Sequence, residues 1–404
     1  MLPLEGLKVV DLTTWVFAPS CAATLGDWGA EVIKIEDPVT GDAFRWFLMA
    51  VGIDDSEVPV SLFGLDNRNK RGMAIDLKQP EGRDIVYKLI EDADIFVSNV
   101  PTESLERLEL DYSRLSAINP KLIYAHASGY GDKGPDSNKP GFDATAYWAR
   151  SGLMAGLAVG GQPPVAQQYA GIGDNVSGLV FFGGVLLALY NREKTGKGQQ
   201  VDLSLMGVGT WVTSCSLQFV LSMGEEPPRW TRDQVRNPLL NYYKTKDDEW
   251  VYLVCLPDEP YWSPLCKAIA REDLEHDPKF DTRDNRLENN EELISILDEV
   301  ILTKTRDEWA KLFDENGIVW SHIPTSFEEV TKDPQMLAND HIVEVEHPTF
   351  GPVKIVTTPI RLNKEAPPIR RLAPEHSQHT EEILLEKGYE WEDIAKLQEK
   401  GVIP

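Results

Sequence analysis

The chain has 404 residues, a formal net charge of −25 at neutral pH, 42% hydrophobic residues and 9% aromatics. That apolar content describes a globular protein rather than a disordered one, and the length predicts two or more substructures around a sizeable core. The acidic balance argues against a general nucleic-acid binder, because neutralising phosphates needs a basic surface, although a local basic patch could still hold one anionic ligand.

The first elements read as strand, helix, strand. "LKVVDL" is a short apolar strand, Pro19 to Trp28 is helix-like, and "AEVIKIE" alternates as a strand does. A basic stretch, "DNRNKRG", places Arg68, Lys70 and Arg71 before the expected strand "MAIDL". On its own it reads first as a solvated loop and, in so acidic a chain, second as a phosphate site. "EGRDIVYKLIEDADIFVSNV" then gives a helix with Ile85, Leu89 and Ile90 on one face and the strand "IFVSN"; "PKLIYAHASGYG" adds another strand, in which His126 reads as a strand residue. Strands alternating with helices predict an α/β fold with a parallel, doubly wound sheet and ligands at the strand C-terminal ends.

"GIGDNVSGLVFFGGVLLALY" contains one acid, Asp174, ahead of an apolar helix that meets no further charge before Arg192. A turn and a strand with Val201, Leu203 and Leu205 alternating follow it. "GEEPPRW" reads as a link between domains. Residues 271–300, with eleven acids against four bases, read as a solvated helical surface. "KTKDDEWVYLVCL" reads as a hairpin turning at Asp247–Asp248, "HPTFGPVKIVTTPIRL" returns to β structure, and the tail reads as two short helices. The boundaries this implies are 1–223, 224–330 and 331–404. No internal repeat or low-complexity tract interrupts the pattern.

Several chemistries fail on their motifs. No glycine of a GxGxxG fingerprint occupies the first strand-to-helix turn, although Glu36 ends the second strand as a ribose-binding acid would. There is no HExxH, and His376 and His379 read as surface or capping residues, so no metal site is expected. Neither a GxSxG elbow nor a phosphate-binding GxxxxGK[ST] loop occurs. Cys21, Cys215, Cys255 and Cys266 are scattered without a CxxC pair, as in a reduced, cytoplasmic enzyme. The first residues lack the basic and apolar regions of a secretory signal, and the uncharged run after Asp174 reads as short for a membrane span. The expectation is a cytoplasmic protein working without a membrane or nucleic-acid partner.

Asp174 carries two compatible readings. It can cap its helix, accepting a backbone N–H of the first turn. A carboxylate there would stay ionised beside the positive helix end, Gly171 and Gly173 would let a ligand approach, and the apolar helix would exclude water.

The pieces "L.GLKVVDLT", "GAEVIKIE.P.GD..R", "NRNKRG..IDLK.PEG", "GYG..GP", "GD..SG", "KTGKGQ.VD.SL" and "HT.EIL...GY" resemble the class III CoA-transferase family, in this order along nearly the whole chain. The resemblance implies that Asp174 is the nucleophile, forming an aspartyl anhydride and then an aspartyl-CoA thioester, with acyl-CoA donor and acid acceptor as substrates and no tightly bound cofactor. It further implies CoA contacts at Asn69, Lys70, Arg71, Asn99, Arg107 and Arg45. A Rossmann-like large domain built from both chain ends, a smaller inserted domain and an interlocked homodimer also follow from it.

Three departures from the formyl-CoA transferases stand out. Asp37 stands where they carry an arginine, so that one CoA phosphate contact is lost or supplied elsewhere; their glycine-rich lid "GGGGQ" is absent; and Val16 stands where they carry a glutamine that polarises the acyl group. A larger, apolar acyl group is therefore expected, in a pocket with Val16, Phe17, Phe142, Tyr147, Gly171 and Gly173, and with Trp15 and Trp148 as further aromatic candidates. "PGFDATAYWARSGL" and "GIGDNVSG" look most like the branch acting on (R)-phenyllactate and (R)-2-hydroxyisocaproate. The alternatives are an α-methylacyl-CoA racemase, disfavoured because Phe142 occupies the position of its histidine, and a non-catalytic acyl-CoA-binding protein.

Overall fold

The structure is a computed structural model that describes residues 1–54, 58 and 60–404. Its central sheet comprises β1 (Lys8–Leu12), β2 (Glu31–Glu36), β3 (Lys70–Ala74), β4 (Ile95–Ser98), β5 (Ile123–Ser128) and β6 (Gln199–Ser204). All neighbours pair in parallel, in the order β3-β2-β1-β4-β5-β6. The order reverses between β1 and β4, and a crevice opens at such a switch point beyond the strand C-termini. Alternate residues serve opposite faces: Val9 joins Val97, Ile123, Phe181 and Val185, whereas Val10 joins Ile33, Phe96, Leu89 and Leu384.

The edge strand differs from its sequence reading. It begins at Lys70 rather than at Met73, and Val32 and Ile33 of β2 pair with Lys70 and Arg71. The basic residues are thus strand residues with internal acidic partners. Arg71 donates to Glu382 and Glu386 of the Thr380–Glu386 helix at 2.8 Å each and also pairs with Glu31. His379 accepts the Gly72 N–H, and the Thr380 hydroxyl accepts that of Ala74. Two separate sequence motifs, "NRNKRG" and "HT.EIL", therefore meet to fasten the C-terminal helix over β3.

The first helix (Phe17–Asp27) and the long helix (Ile172–Thr195) lie together on one side of the sheet. They approach at Gly178, where an added Cβ would stand 1.8 Å from Ser20 Oγ and 2.9 Å from the Phe17 carbonyl. Only a residue without a side chain permits that approach. The long helix has 24 residues, and its most apolar 18-residue stretch has a mean hydropathy of 1.7, so by length and composition it could cross a membrane, contrary to the reading of this run as too short. Instead Phe181, Phe182 and Val185 are buried in the core, while Val180, Leu187 and Tyr190 remain exposed.

The chain divides into two compact units. The first contains residues 1–157, 164–225 and 340–404 and includes the antiparallel hairpin of Ile342–His347 with Gly351–Val356. The second contains 158–163 and 226–339. Its three antiparallel strands, Leu240–Lys244, Trp250–Val254 and Trp320–Ile323, pack with helices around Tyr243, Leu253, Leu297, Trp309 and Phe313. The acid-rich Asn290–Ile301 helix buries Leu293, Ile294, Leu297 and Ile301 on one face, as its periodicity requires.

Candidate active site

A cavity of about 610 Å³ opens at the sheet's switch point, within the volume range of small-molecule sites. The loops after β1 and β4 and the end of β5 contribute Thr14, Trp15 and Val16, then Asn99, then Ser128 and Gly129. Phe17, Phe44, Phe47 and Phe142 give it aromatic walls, and Gly171 and Asp174 come from the start of the long helix.

Two buried ion pairs set this geometry. Lys34 Nζ lies 2.8 Å from Asp42, with both side chains wholly buried, and it also donates to the Thr13 carbonyl. Asp42 Oδ1 in turn accepts the Thr14 hydroxyl at 2.7 Å and the Trp15 N–H at 3.0 Å. Trp15 is held at φ 69°, a left-handed conformation that costs a non-glycine residue energy and persists only where surroundings fix it. Its indole meets Phe142 edge-on at 5.7 Å and Phe47 at 6.4 Å. Asn99 joins the β1 and β4 loops by accepting the Thr14 N–H and donating to the Thr14 carbonyl. Lys70 pairs with Asp11 at 2.8 Å and donates to the Pro19 carbonyl in the first turn of the first helix.

Asp174 does not cap its helix. Gly171 occupies the cap position at φ 84°, and Asp174 follows as the third helical residue. The acid at this helix end is Asp143, which enters from the π-helical turn Asp143–Ala149. Its Oδ2 accepts the Gly173 N–H at 3.2 Å and the Gln167 side chain at 2.9 Å, and the amides of Asp174 and Gly171 also stabilise its charge. Its buried Oδ1 has no hydrogen-bond partner among the described residues. Gly173 must lack a side chain, because a Cβ there would stand 2.3 Å from that oxygen and 2.4 Å from the Tyr147 ring.

The free amides of the helix end thus serve Asp143, not the Asp174 carboxylate. Burial, then the charges of Asp143 and of the buried Asp66, push the Asp174 carboxyl up to about 7 rather than leaving it firmly ionised. Burial also raises Asp143, despite its amide bonds.

The cavity gathers Asp174, Val16, Phe17, Phe142, Gly171 and Asn99 from the residues singled out in the sequence. Tyr147 and Trp148 instead belong to the core, Tyr147 lying behind Gly173. The expected CoA loop has other partners. Asn69 donates to Asp27 and accepts the N–H groups of Arg370 and Arg371; Lys70 is wholly buried on Asp11; Arg71 holds its three glutamates. Arg45 makes a two-pronged bond to Glu36 at 2.7 Å on each arm, which also gives Glu36 a role other than ribose binding. Arg107 is exposed and donates to Ser104, away from the cavity lining. Asp37 accepts the N–H groups of Val39 and Thr40 and shapes a turn.

Sequence reasoning missed Asp143, Gln167 and Lys139, the cation among the cavity-lining residues. A signal for Asp143 was present: it is the acid in "PGFDATAYWA", directly after the aromatic Phe142. His126 lies within β5, a strand residue as read, but it also lines the cavity, with Nε2 donating to the Val100 carbonyl. Its ligand atom and those of Asp132 and Asp202 lie within 4.8 Å of one another, although no metal site was expected.

Residues 4–380 match the family described as CoA-transferase family III. The chain is similar to the (R)-2-hydroxy-4-methylpentanoate CoA-transferase of Clostridioides difficile, at 37% identity over 99% of each chain. It is also similar to the cinnamoyl-CoA:phenyllactate CoA-transferase of Clostridium sporogenes, at 32% identity over 98% of this chain and 95% of that one. Among solved structures, a CAIB/BAIF family protein from Brucella suis superposes with a TM-score of 0.81 at 28% identity, covering 96% of this chain and 99% of that chain.

Because burial raises Asp174 to about 7 from an unfolded value near 3.9, the folded state retains a proton that the unfolded state releases. Stability therefore falls as pH rises through that window, and the full penalty is present above it. Asp174→Asn should be more stable than the parent at pH 8, by about 1–3 kcal/mol at a half-buried position. The two should match near pH 4. Denaturant titrations at the two pH values check this, and equal stability at pH 8 would contradict it.

Proposed function

The chain belongs to CoA-transferase family III, and on that premise we propose that it transfers CoA from an acyl-CoA donor to a hydrophobic carboxylic acid through covalent intermediates on Asp174. The observation that carries this reading is the position of one weakly held carboxylate, Asp174, at the mouth of an aromatic-walled cavity. In the first step an Asp174 oxygen attacks the thioester carbon of the donor. A C–O bond forms, the C–S bond breaks, and the electron pair leaves with CoA as thiolate. The thiolate then attacks the Asp174 acyl carbon, forming aspartyl-CoA thioester and expelling the donor acid as carboxylate. The acceptor carboxylate repeats the sequence in reverse, so no external oxidant, reductant or resident cofactor enters. Water must be excluded throughout, since it would hydrolyse the anhydride, and the apolar walls serve that end.

The acceptor we favour is an aromatic, branched-chain or 2-hydroxy acid. Trp15, Phe47 and Phe142 offer faces and edges to an aryl or branched side chain. The two relatives whose names carry a 2-hydroxy-4-methylpentanoate and a phenyllactate substrate support the same class. Asn99 remains a candidate CoA contact at the cavity mouth, and Lys139 joins it as the nearby cation. The racemase alternative lacks its histidine at Phe142.

We further infer a cytoplasmic, interlocked homodimer in which a Rossmann-like large domain built from both chain ends carries a smaller inserted domain. Leu187 and Tyr190 of the long helix, Trp211 of the Leu205–Val212 helix, and Leu221 and Met223 of the Ser214–Met223 helix are exposed, Trp211 by 74% and Leu221 by 79%. Apolar surface on this scale commonly marks a contact between subunits.

Asp174→Ala should lower kcat by about a thousandfold or more, as removal of a covalent nucleophile does. Wild-type activity should fall as pH drops through about 7, where the Asp174 carboxylate takes up its proton. In an acceptor series, phenyl- and isobutyl-substituted 2-hydroxy acids should exceed formate and oxalate in kcat/KM; the reverse order would reject the pocket assignment. Light scattering should return twice the 45.3 kDa chain mass, and Trp211→Asp with Leu221→Asp should shift it toward one chain. A wild-type mass of one chain would rule the dimer out.

A further inference from the structure

Asp143 stands where a helix cap is needed, but a neutral residue could meet that need. Its Oδ2 is bonded to the Gly173 amide and to Gln167, whereas its Oδ1 is buried, lies over Gly173 and has no hydrogen-bond partner among the described residues. The residue is only 6% exposed, and an unbonded acceptor so deeply buried is costly. It also lines the same cavity as Asp174, whose backbone amide lies within its reach.

We propose that Asp143 is a positioning residue for CoA transfer, holding the N-terminal amides of the long helix while placing a second negative charge beside Asp174 that is relieved whenever Asp174 is converted to a neutral acyl derivative. This rests on the reading of Asp174 as the nucleophile. The free enzyme then contains two carboxylates in one largely apolar pocket. Acylation consumes one of them: Asp174 carboxylate and acyl-CoA become aspartyl-CoA thioester and a free carboxylate that departs to solvent. The charge is moved out of the pocket, atoms and electrons balance, and the repulsion disappears. The charged groups acting on Asp174 are Asp143 and Asp66, both acidic. Tyr147 packs behind Gly173, and His126, Asp132 and Lys139 line the same cavity. Burial together with the two acids accounts for the direction of the Asp174 shift.

The proposal makes a quantitative link. Protonating Asp174 and acylating it both convert a carboxylate into a neutral group, so the charge at position 143 must favour both by the same factor. Asp143→Asn keeps an oxygen for the Gly173 amide and removes the charge. In this variant the acid limb of kcat/KM should move at least one pH unit toward acid. At fixed donor and product concentrations, the ratio of aspartyl-CoA thioester to free enzyme, read by intact mass at pH 8, should fall about tenfold for each unit of that movement. A role confined to helix capping would leave both unchanged, because asparagine also caps. A folded variant with an unmoved limb, or with a moved limb and an unaltered thioester ratio, would overturn the proposal. Full turnover in Asp174→Ala would instead remove the nucleophile reading itself, and the inference with it. If Asp143→Asn does not fold, wild-type protein gives the same test through carboxyl-region infrared difference spectra. Thioester formation must then shift the Asp143 titration toward acid, and no shift would overturn the proposal.

Discussion

The first turn of the long helix must accommodate two carboxylates with one set of backbone amides. Asp143, brought in from a separate π-helical turn, takes the Gly173 N–H and is also stabilised by the amides of Gly171 and Asp174. Asp174 is left at the cavity without that stabilisation. The arrangement needs glycine at 173, where any side chain would strike Asp143 and Tyr147, and a left-handed glycine at 171 to start the helix. It needs Gly178 as well, since that close approach sets the long helix against the first helix, whose N-terminal Phe17 lines the same cavity. An acid held in this way is an uncomfortable carboxylate, and discomfort in the ionised form favours reaction toward a neutral acyl state.

The opposite wall depends on charges that are satisfied. In a chain with 65 acids against 40 Lys and Arg, several of the cations near the sheet are directed inward. Lys34 and Lys70 are wholly buried on Asp42 and Asp11 at the C-terminal side of β1. Burying such pairs costs desolvation comparable to the attraction gained, so their effect is better described as fixing one loop conformation than as adding stability. What they fix is the Thr14–Trp15 turn, whose strained backbone presents the indole to Phe142 and Phe47. One cavity wall is thus set by paired charge, and the environment of Asp174 by unpaired charge.

This division explains what was legible in the sequence. The alternation of β1, β2, β4, β5 and β6 with helices showed in hydrophobic periodicity, and the hairpin around Asp247–Asp248 showed in its turn residues, because both signals are local. Asp174 stood out as the one acid before an apolar run, and the family resemblance supplied a role for it. The start of β3 was misread because Lys70 and Arg71 suggest a solvated loop until Asp11, Glu382 and Glu386 are brought to them from distant parts of the chain. Asn69, Lys70, Arg71 and Arg45, offered by the sequence as CoA contacts, likewise have internal partners that only the fold brings to them. The cap at Asp174 failed for a related reason: the competing acid lies thirty-one positions earlier and meets the helix only in the folded state. Tyr147 and Trp148 show the limit of composition, since an aromatic residue a turn away from a pocket residue reads the same whether it faces ligand or core.

The most direct test of the central claim is to trap the covalent enzyme. Protein incubated with acyl-CoA donors would be treated with hydroxylamine or borohydride, digested, and mapped by mass spectrometry. The account predicts one modified position, Asp174, in the wild-type chain and none in Asp174→Ala. Turnover without an adduct on Asp174 for any donor, or an adduct on another residue that survives Asp174→Ala, would contradict it.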